Sequence, residues 1–264
     1  MPELIEVEYY RRALDRVLGQ DVIDVGVSPA SYLRPDGEGA AQLAVLVGTT
    51  CTHTSRRGKL LLVHFAQAGE PVHTLGIRFG MTGRLLIDGT GPIERLEYSS
   101  GRNDPAWDRF RLRLANAEVV VRDQRRLGSV ELDAGTDGLG FEASDVSPED
   151  LERVLSGRTK AIKALLLDQS LLAGLGNLLA DEVLWRSGIA PSRPCDELSR
   201  SDIESLAATI RHTVAELSER GGSHRGDSFS LRSVDAICPK CGSQSMVHAT
   251  VGGRSTWSCR RHQR

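Results

Sequence analysis

No stretch of about 18 apolar residues, the length a helix needs to cross a bilayer, occurs in this 264-residue chain. The first residues are acidic where a secretory leader would be basic. Internal repeats and low-complexity tracts are missing too. The expectation is a soluble cytoplasmic protein without a membrane partner. Net charge is also nearly absent, at -2, which by itself argues neither for nor against a polyanionic partner. Cysteine is sparse: there are five, an odd number, and Cys238, Cys241 and Cys259 fall in the last 27 residues. That clustering suggests metal rather than disulfides, and leaves Cys51 and Cys195 as inert thiols.

What is present is unevenly placed. From Arg211 onward there are nine Lys and Arg against four Asp and Glu, so this part carries +5 and the remainder -7. A basic tail on an acidic body suits a nucleic-acid contact on one face, and a solvated tail looks the same in composition. A 40% hydrophobic content can fill one good core and a smaller one. Two or three modules are expected.

Residues 4 to 18 set Leu4, Val7, Tyr10, Leu14, Val17 and Leu18 on a helical stripe that stops at Gly19. From Val22 to about Leu132, short β-branched runs such as LLVHF, GRLLID, FRLRL and EVVVRD predict an antiparallel sandwich or barrel. The glycine-rich, acidic stretch Ala134 to Ser147 reads as a linker. Helices follow. Ser147 with Pro148 and Asp150 makes a capping box, and Ser199 with Asp202 repeats it before a helix stopping at Gly221. Two further helical runs lie near 159–167 and 177–186. The division is thus 1–133, a linker 134–147, a helical domain 148–222 and a cysteine-bearing domain 223–264.

Candidate chemistry sits at both ends. Pro2 follows a methionine that is expected to be removed, leaving a free secondary amine. An α-amine has a reference pKa near about 7.7–8.0 and is partly neutral at physiological pH, so it can attack an electrophilic carbon. Glu3 beside it is a candidate acid, although Glu3 and Glu6 would also complement the positive end of a first helix. The spacing Cys238-x2-Cys241-x17-Cys259-x2-His262 offers two ligand pairs around a hairpin-length insert. Such a Cys3His set meets tetrahedral zinc, with His248 as the rival fourth ligand. Arg254 lies in the insert, where a zinc hairpin would project it towards a phosphate. Basic residues also cluster at Arg56-Arg57-Gly58-Lys59 and at Arg122, Arg125 and Arg126, and Asn177 stands as N-cap of a helix whose backbone N–H groups could meet a phosphate.

Taken together, MPELIEVE, SRRGKLLL, RFGMTGRL, RDQRRLGSV, GLGNLLADEVLW and the zinc ribbon, in this order along the whole chain, resemble the formamidopyrimidine-DNA glycosylase and endonuclease VIII family. The resemblance implies an α+β protein: an N-terminal β-sandwich lobe with an N-terminal helix, a helix-two-turn-helix lobe and a C-terminal zinc-finger β-hairpin holding one structural zinc. It implies a monomer acting on double-stranded DNA that contains a damaged base. By the same likeness Pro2 is the nucleophile, Glu3 the general acid at the sugar ring oxygen, Glu6 a shaper of the pocket and Lys59 a lysine near the lesion phosphate. Lys163, Asn177 and Arg254 match the family's phosphate clamps. Met81, Arg125 and Leu127 match the residues that fill the gap left by the flipped nucleotide, a step that costs a few kcal/mol of stacking.

Four departures from the family pattern bear on substrate. Ile5 replaces a proline, Leu127 a phenylalanine and His262 a fourth cysteine, and only fifteen residues separate Gly222 from Cys238, where the oxidised-purine branch carries a longer capping loop. The expected activity is therefore that of a bifunctional DNA glycosylase and AP lyase poor on 8-oxoguanine, acting on an oxidised pyrimidine, an abasic site or a bulky alkylated guanine. The rivals are a non-catalytic damage-binding protein of the same fold, and an RNA-binding zinc-ribbon protein, which leaves Pro2 and Glu3 unexplained.

Overall fold

Each end of the first helix, α1 (Leu4–Ala13), is set by short-range chemistry. Glu3 is the N-cap, its side chain accepting from the backbone of Glu6 while the Glu6 carboxylate accepts from the backbone of Glu3. This satisfies two of the orphan donors of a helix start. The stripe predicted to run to residue 18 instead tightens into a 3₁₀ turn over Leu14–Val17 and stops at Gly19, whose φ of +79° suits glycine.

The computed structural model describes residues 2–35, 40–93, 96–97, 99–100 and 102–264. The chain divides into two units, Met1–Asp137 and Gly138–Arg264. In the first, after α1, come β1 (Val22–Val27), β2 (Leu33–Arg34), α2 (Ala40–Leu43), β3 (Thr50–Arg57), β4 (Leu60–Gln67), β5 (Glu70–Arg78), β6 (Arg84–Ile87), β7 (Asp108–Leu114), β8 (Glu118–Arg122) and β9 (Ser129–Leu132). They form two sheets, in the orders β1-β7-β8-β6 and β2-β9-β5-β4-β3. All pairings are antiparallel except the short parallel pair β2–β9.

The core of this β-sandwich follows from the two-residue period of a strand. Leu61, Val63 and Phe65 of β4, Leu75 and Ile77 of β5, Phe110, Leu112 and Leu114 of β7, and Val119 and Val121 of β8 join one buried cluster with Val7, Tyr10 and Leu14. Truncating a fully enclosed aromatic such as Phe65 to alanine would cost about 3–5 kcal/mol in lost contacts and cavity.

The second unit holds β10 (Phe141–Glu142), α3 (Pro148–Leu155), α4 (Ile162–Leu166), β11 (Leu172–Ala173), α5 (Asn177–Ser187), α6 (Arg200–Arg220) and a terminal hairpin of β12 (Met246–Val251) and β13 (Arg254–Cys259). Both capping boxes form, at Ser147/Asp150 and Ser199/Asp202, and α6 ends at Gly221 with φ +100°. Its buried residues Ile203, Leu206, Ala207, Ile210, Val214 and Leu217 trace one helical stripe. Within the stretch expected as a linker, Phe141–Glu142 pairs in parallel with β11, and Ala143 and Val146 are buried. Among the described residues no helix is long and apolar enough to cross a membrane.

Candidate functional site

Pro2 is buried immediately before the N-cap of α1, and Glu3 is fully buried in extended conformation, with φ -106° and ψ -173°. Glu6, 2% exposed, accepts the Glu3 N–H at 2.9 Å through Oε2. The three residues expected at one reaction centre therefore lie within five positions at the start of α1, with Glu3 and Glu6 tied by the capping box and Pro2 directly before it. They occupy the N-terminal end of α1, the positive end of the helix dipole. Ile5 stands within the first turn and is buried.

Lys59 occupies a two-residue turn between β3 and β4, which close at Arg57 opposite Leu60. Gly58 fills the first central position with φ +54°, the place where a II′ turn needs glycine. Arg56 braces the turn, its Nη1 donating to the Gly58 carbonyl at 2.8 Å. The lysine is thus held half-buried at a hairpin tip.

Met81, Arg125 and Leu127 come from two separate chain segments that the fold lays side by side. Residues 79–83 carry the chain from β5 in one sheet to β6 in the other, and residues 123–128 carry it back from β8 to β9. Both crossings are anchored on paired strands, since Arg78 lies opposite Ser129 and Arg84 opposite Arg122. The crossings touch through their backbones: a Cβ on Gly80, whose φ is +57°, would sit 2.4 Å from the Leu127 carbonyl carbon. Arg125 Nη1 reaches Met81 Sδ at 3.4 Å, and Leu127 is 50% exposed.

In the second unit the structure brings Lys163, Asn177 and Arg254 around one peptide. Lys163 Nζ donates to the Ser255 carbonyl at 3.0 Å and to Thr256 Oγ1 at 2.7 Å, and Asn177 Nδ2 donates to the same Ser255 carbonyl at 2.9 Å. Arg254, the neighbour of Ser255, is exposed at the start of β13, just after a turn made by Gly252 and Gly253 at φ +58° and +71°. Two expectations are corrected here. Lys163 has no exposed surface and lies 2.6 Å from Asp181 Oδ1, so it reaches no phosphate directly and instead supports the tip of the hairpin. Asn177 is not the N-cap of α5; Gly176 is, because the Asn177 side chain is turned to the hairpin.

The thiol sulfurs of Cys238, Cys241 and Cys259 lie within 4.8 Å of one another. The Cys241 and Cys259 sulfurs are 3.6 Å apart, close to the separation of about 3.8 Å set by tetrahedral geometry at a Zn–S length of about 2.3 Å. His262 Nδ1 stands 3.4 Å from Cys238 Sγ, and its Nε2 meets the Trp185 carbonyl at 2.7 Å, the second contact that orients a ligating imidazole. His248 instead faces Ser255 Oγ at 2.8 Å. Hydroxyls of Ser243 and Ser245 hold the Cys241 thiol down to about 6, which favours thiolate, and burial pushes Cys238 up. The donor set fits a structural zinc held by three cysteines and His262.

Sequence reading did not single out Asp123, Thr82, Asp181, Ser243 or Ser245, all of which hold functional candidates in place. Only Asp123 left a signal, as an aspartate opening a turn that closes on Gly128.

Comparison with known proteins agrees with this geometry. The formamidopyrimidine-DNA glycosylase N-terminal domain model matches residues 1–130, and the formamidopyrimidine-DNA glycosylase H2TH domain model matches residues 137–228. The formamidopyrimidine-DNA glycosylase of Salinispora arenicola is 32% identical, the match covering 100% of this chain and 96% of that protein. The Lactococcus lactis protein solved with DNA containing an abasic site has a TM-score of 0.82 at 26% identity, with 100% of both chains covered. A MutM structure with DNA containing carbocyclic 8-oxo-G gives 0.82 at 27% identity, again over 100% of both chains.

Proposed function

The chain belongs to the formamidopyrimidine-DNA glycosylase family, and from that premise we propose that the amine of Pro2, freed by removal of Met1, is its nucleophile. The protein is a DNA glycosylase and AP lyase of base excision repair. The observation that carries the proposal is that Pro2 and Glu3 are both buried at the start of α1, where Glu6 holds the Glu3 backbone N–H.

In this mechanism the Pro2 nitrogen bonds to C1′ of the damaged nucleotide as the glycosidic bond breaks, and the base leaves with the bonding pair and takes up the proton that the amine gives up. Glu3 protonates the sugar ring oxygen, a general-acid step that opens the ring and leaves an iminium between Pro2 and C1′. A secondary amine has no N–H to lose at that stage, so the iminium stays an electron sink. Loss of a C2′ proton then expels the 3′ phosphate, and a second elimination expels the 5′ phosphate. Lys59 and Arg254 hold backbone phosphates, while Met81, Arg125 and Leu127 occupy the space of the flipped nucleotide. Zinc supplies no chemistry to the reaction; bound by Cys238, Cys241, Cys259 and His262 it would fix the hairpin that carries Arg254. The acting species is a monomer on duplex DNA.

The lesion we propose is an oxidised pyrimidine, an abasic site or a bulky alkylated guanine rather than 8-oxoguanine. Support comes from the short segment after α6. Glu182, 1% exposed, takes the N–H groups of Asp227 and Ser228 at 3.1 and 2.8 Å, and Arg186 and Arg220 both pair with Asp227. A segment so tied to α5 has little chain left to cap a base, and an uncapped pocket loses the contacts that select one lesion.

Borohydride trapping on a lesion-bearing duplex, followed by peptide mapping, tests the nucleophile. The adduct is expected on the N-terminal peptide, and an adduct on Lys59 would overturn the assignment. Glu3→Gln should lose base excision and keep DNA binding.

A further inference from the structure

Asp123 is fully buried, yet every polar group it owns is engaged. Its Oδ1 accepts the Thr82 hydroxyl and the Arg125 N–H, the latter at 3.2 Å. Its Oδ2 accepts the Gly128 N–H at 2.8 Å and the Tyr32 hydroxyl at 3.3 Å. Its backbone N–H donates to the Trp107 carbonyl at 2.8 Å, and its own carbonyl accepts Arg109 Nε at 2.9 Å. Burial, and after it the Asp123 charge, pushes the Tyr32 phenol up, so Tyr32 remains a donor.

These bonds join three things. Two run to the turn that carries Arg125 and Leu127. One runs to Thr82, the residue after Met81, and Thr82 in turn accepts the Arg125 N–H at 3.2 Å. The last runs to Tyr32, outside both crossings. The turn needs the help, because Arg126 is held at φ +55°, a left-handed conformation costly for a residue with a Cβ.

We propose that Asp123 and Thr82 are positioning residues that lock the Met81 crossing and the Arg125–Leu127 turn into one preformed wedge, so that both elements enter the DNA stack together. The inference rests on the wedge role proposed for Met81, Arg125 and Leu127. Two loops from different strands would otherwise be ordered separately when DNA binds, and that ordering opposes binding and base extrusion. Asp123 removes the requirement in advance through charge-assisted bonds in a buried site. Only a carboxylate serves. An asparagine would keep one acceptor and turn an N–H towards a donor, whichever way its amide faced.

The test compares two substrates. One is a duplex with a paired lesion, where the nucleotide must be extruded against stacking. The other is a single-stranded abasic oligonucleotide, where nothing need be extruded. Thr82→Val, which removes the hydroxyl at constant shape, and Asp123→Asn should slow single-turnover excision from the duplex by about ten- to a hundredfold, the range for losing a buried charge-assisted bond. Both should leave cleavage of the single-stranded abasic site at the parent rate. Thr82→Ser keeps the hydroxyl and should excise from the duplex at the parent rate. A 2-aminopurine beside the lesion should brighten on binding of the parent and of Thr82→Ser, and stay quenched with Thr82→Val. Equal losses on both substrates would mean general damage to the fold and would overturn the inference. So would parent-like duplex excision by Thr82→Val while Leu127→Ala and Met81→Ala are slow. If Leu127→Ala and Met81→Ala excise at the parent rate as well, the wedge reading itself is wrong.

Discussion

Replacing Lys163 with methionine keeps the shape of the side chain and removes its charge from a fully buried site. Lys163 is 0% exposed, and Asp181, 2% exposed, lies 2.6 Å away. Taking one partner from a buried pair costs about 3–5 kcal/mol, because the other charge stays desolvated. Asp181 keeps Arg232 at 3.2 Å, so a loss near the lower end, about 3 kcal/mol, is expected. The pH dependence follows with a definite sign. Burial already pushes the Asp181 carboxyl up against the pull of Lys163, and without Lys163 it rises further. A group with a raised folded pKa binds its proton more tightly when folded, so its contribution is present at low pH and is lost as pH rises. The deficit of Lys163→Met relative to the parent should therefore be smallest below about pH 4, the unfolded carboxylate value, and complete above the raised pKa. Urea unfolding at several pH values, followed by emission of Trp185 and Trp257, measures it. A double variant, Lys163→Met with Asp181→Leu, should recover part of the loss, since it removes the buried carboxylate and leaves only Arg232, 18% exposed, without its partner. A deficit under about 1 kcal/mol at neutral pH, or one that does not change with pH, would refute the reasoning.

Three further outcomes are expected. Elemental analysis of protein prepared without chelator should find one zinc per chain; His262→Ala should weaken its retention and His248→Ala should not, since only His262 faces the cysteine cluster. Arg254→Ala should weaken DNA binding about uniformly across sequences and reduce the salt slope by about 0.9, the share of one phosphate contact, and an unchanged slope would remove Arg254 from the backbone. In single-turnover excision on matched duplexes carrying 8-oxoguanine, a formamidopyrimidine, thymine glycol, dihydrouracil, an abasic site or an N7-alkylguanine, 8-oxoguanine opposite cytosine should not be the fastest; if it is, the argument from the short segment after α6 fails.

Much of this protein was legible in one dimension because the signals are local. Capping boxes at Ser147 and Ser199 need partners only three residues away, and both formed. The spaced pairs near the C-terminus behave similarly, since Cys238 and Cys241, and Cys259 and His262, stand three residues apart. Where reading failed, the deciding partner was distant in sequence. Asn177 looked like a cap because asparagine caps helices, but the Ser255 carbonyl, 78 residues away, took its amide instead. Lys163 matches a phosphate clamp by resemblance, but Asp181 and Thr256 enclose it.

The sequence by itself determined the alternation that makes a sandwich, the stripes that make α1 and α6, and the proximity of Pro2, Glu3 and Glu6, because periodicity and capping act within a few residues of chain. Tertiary structure alone decided that Met81 and Leu127 stand together, since this depends on two sheet crossings meeting at Gly80 and on Asp123 accepting bonds from both. It alone set His262 rather than His248 beside the cysteine cluster, with the Trp185 carbonyl, 77 residues away, meeting its other ring nitrogen. The physical reason is the same in each case. A buried polar group must find its partner wherever the fold puts one, and no local pattern records where that will be.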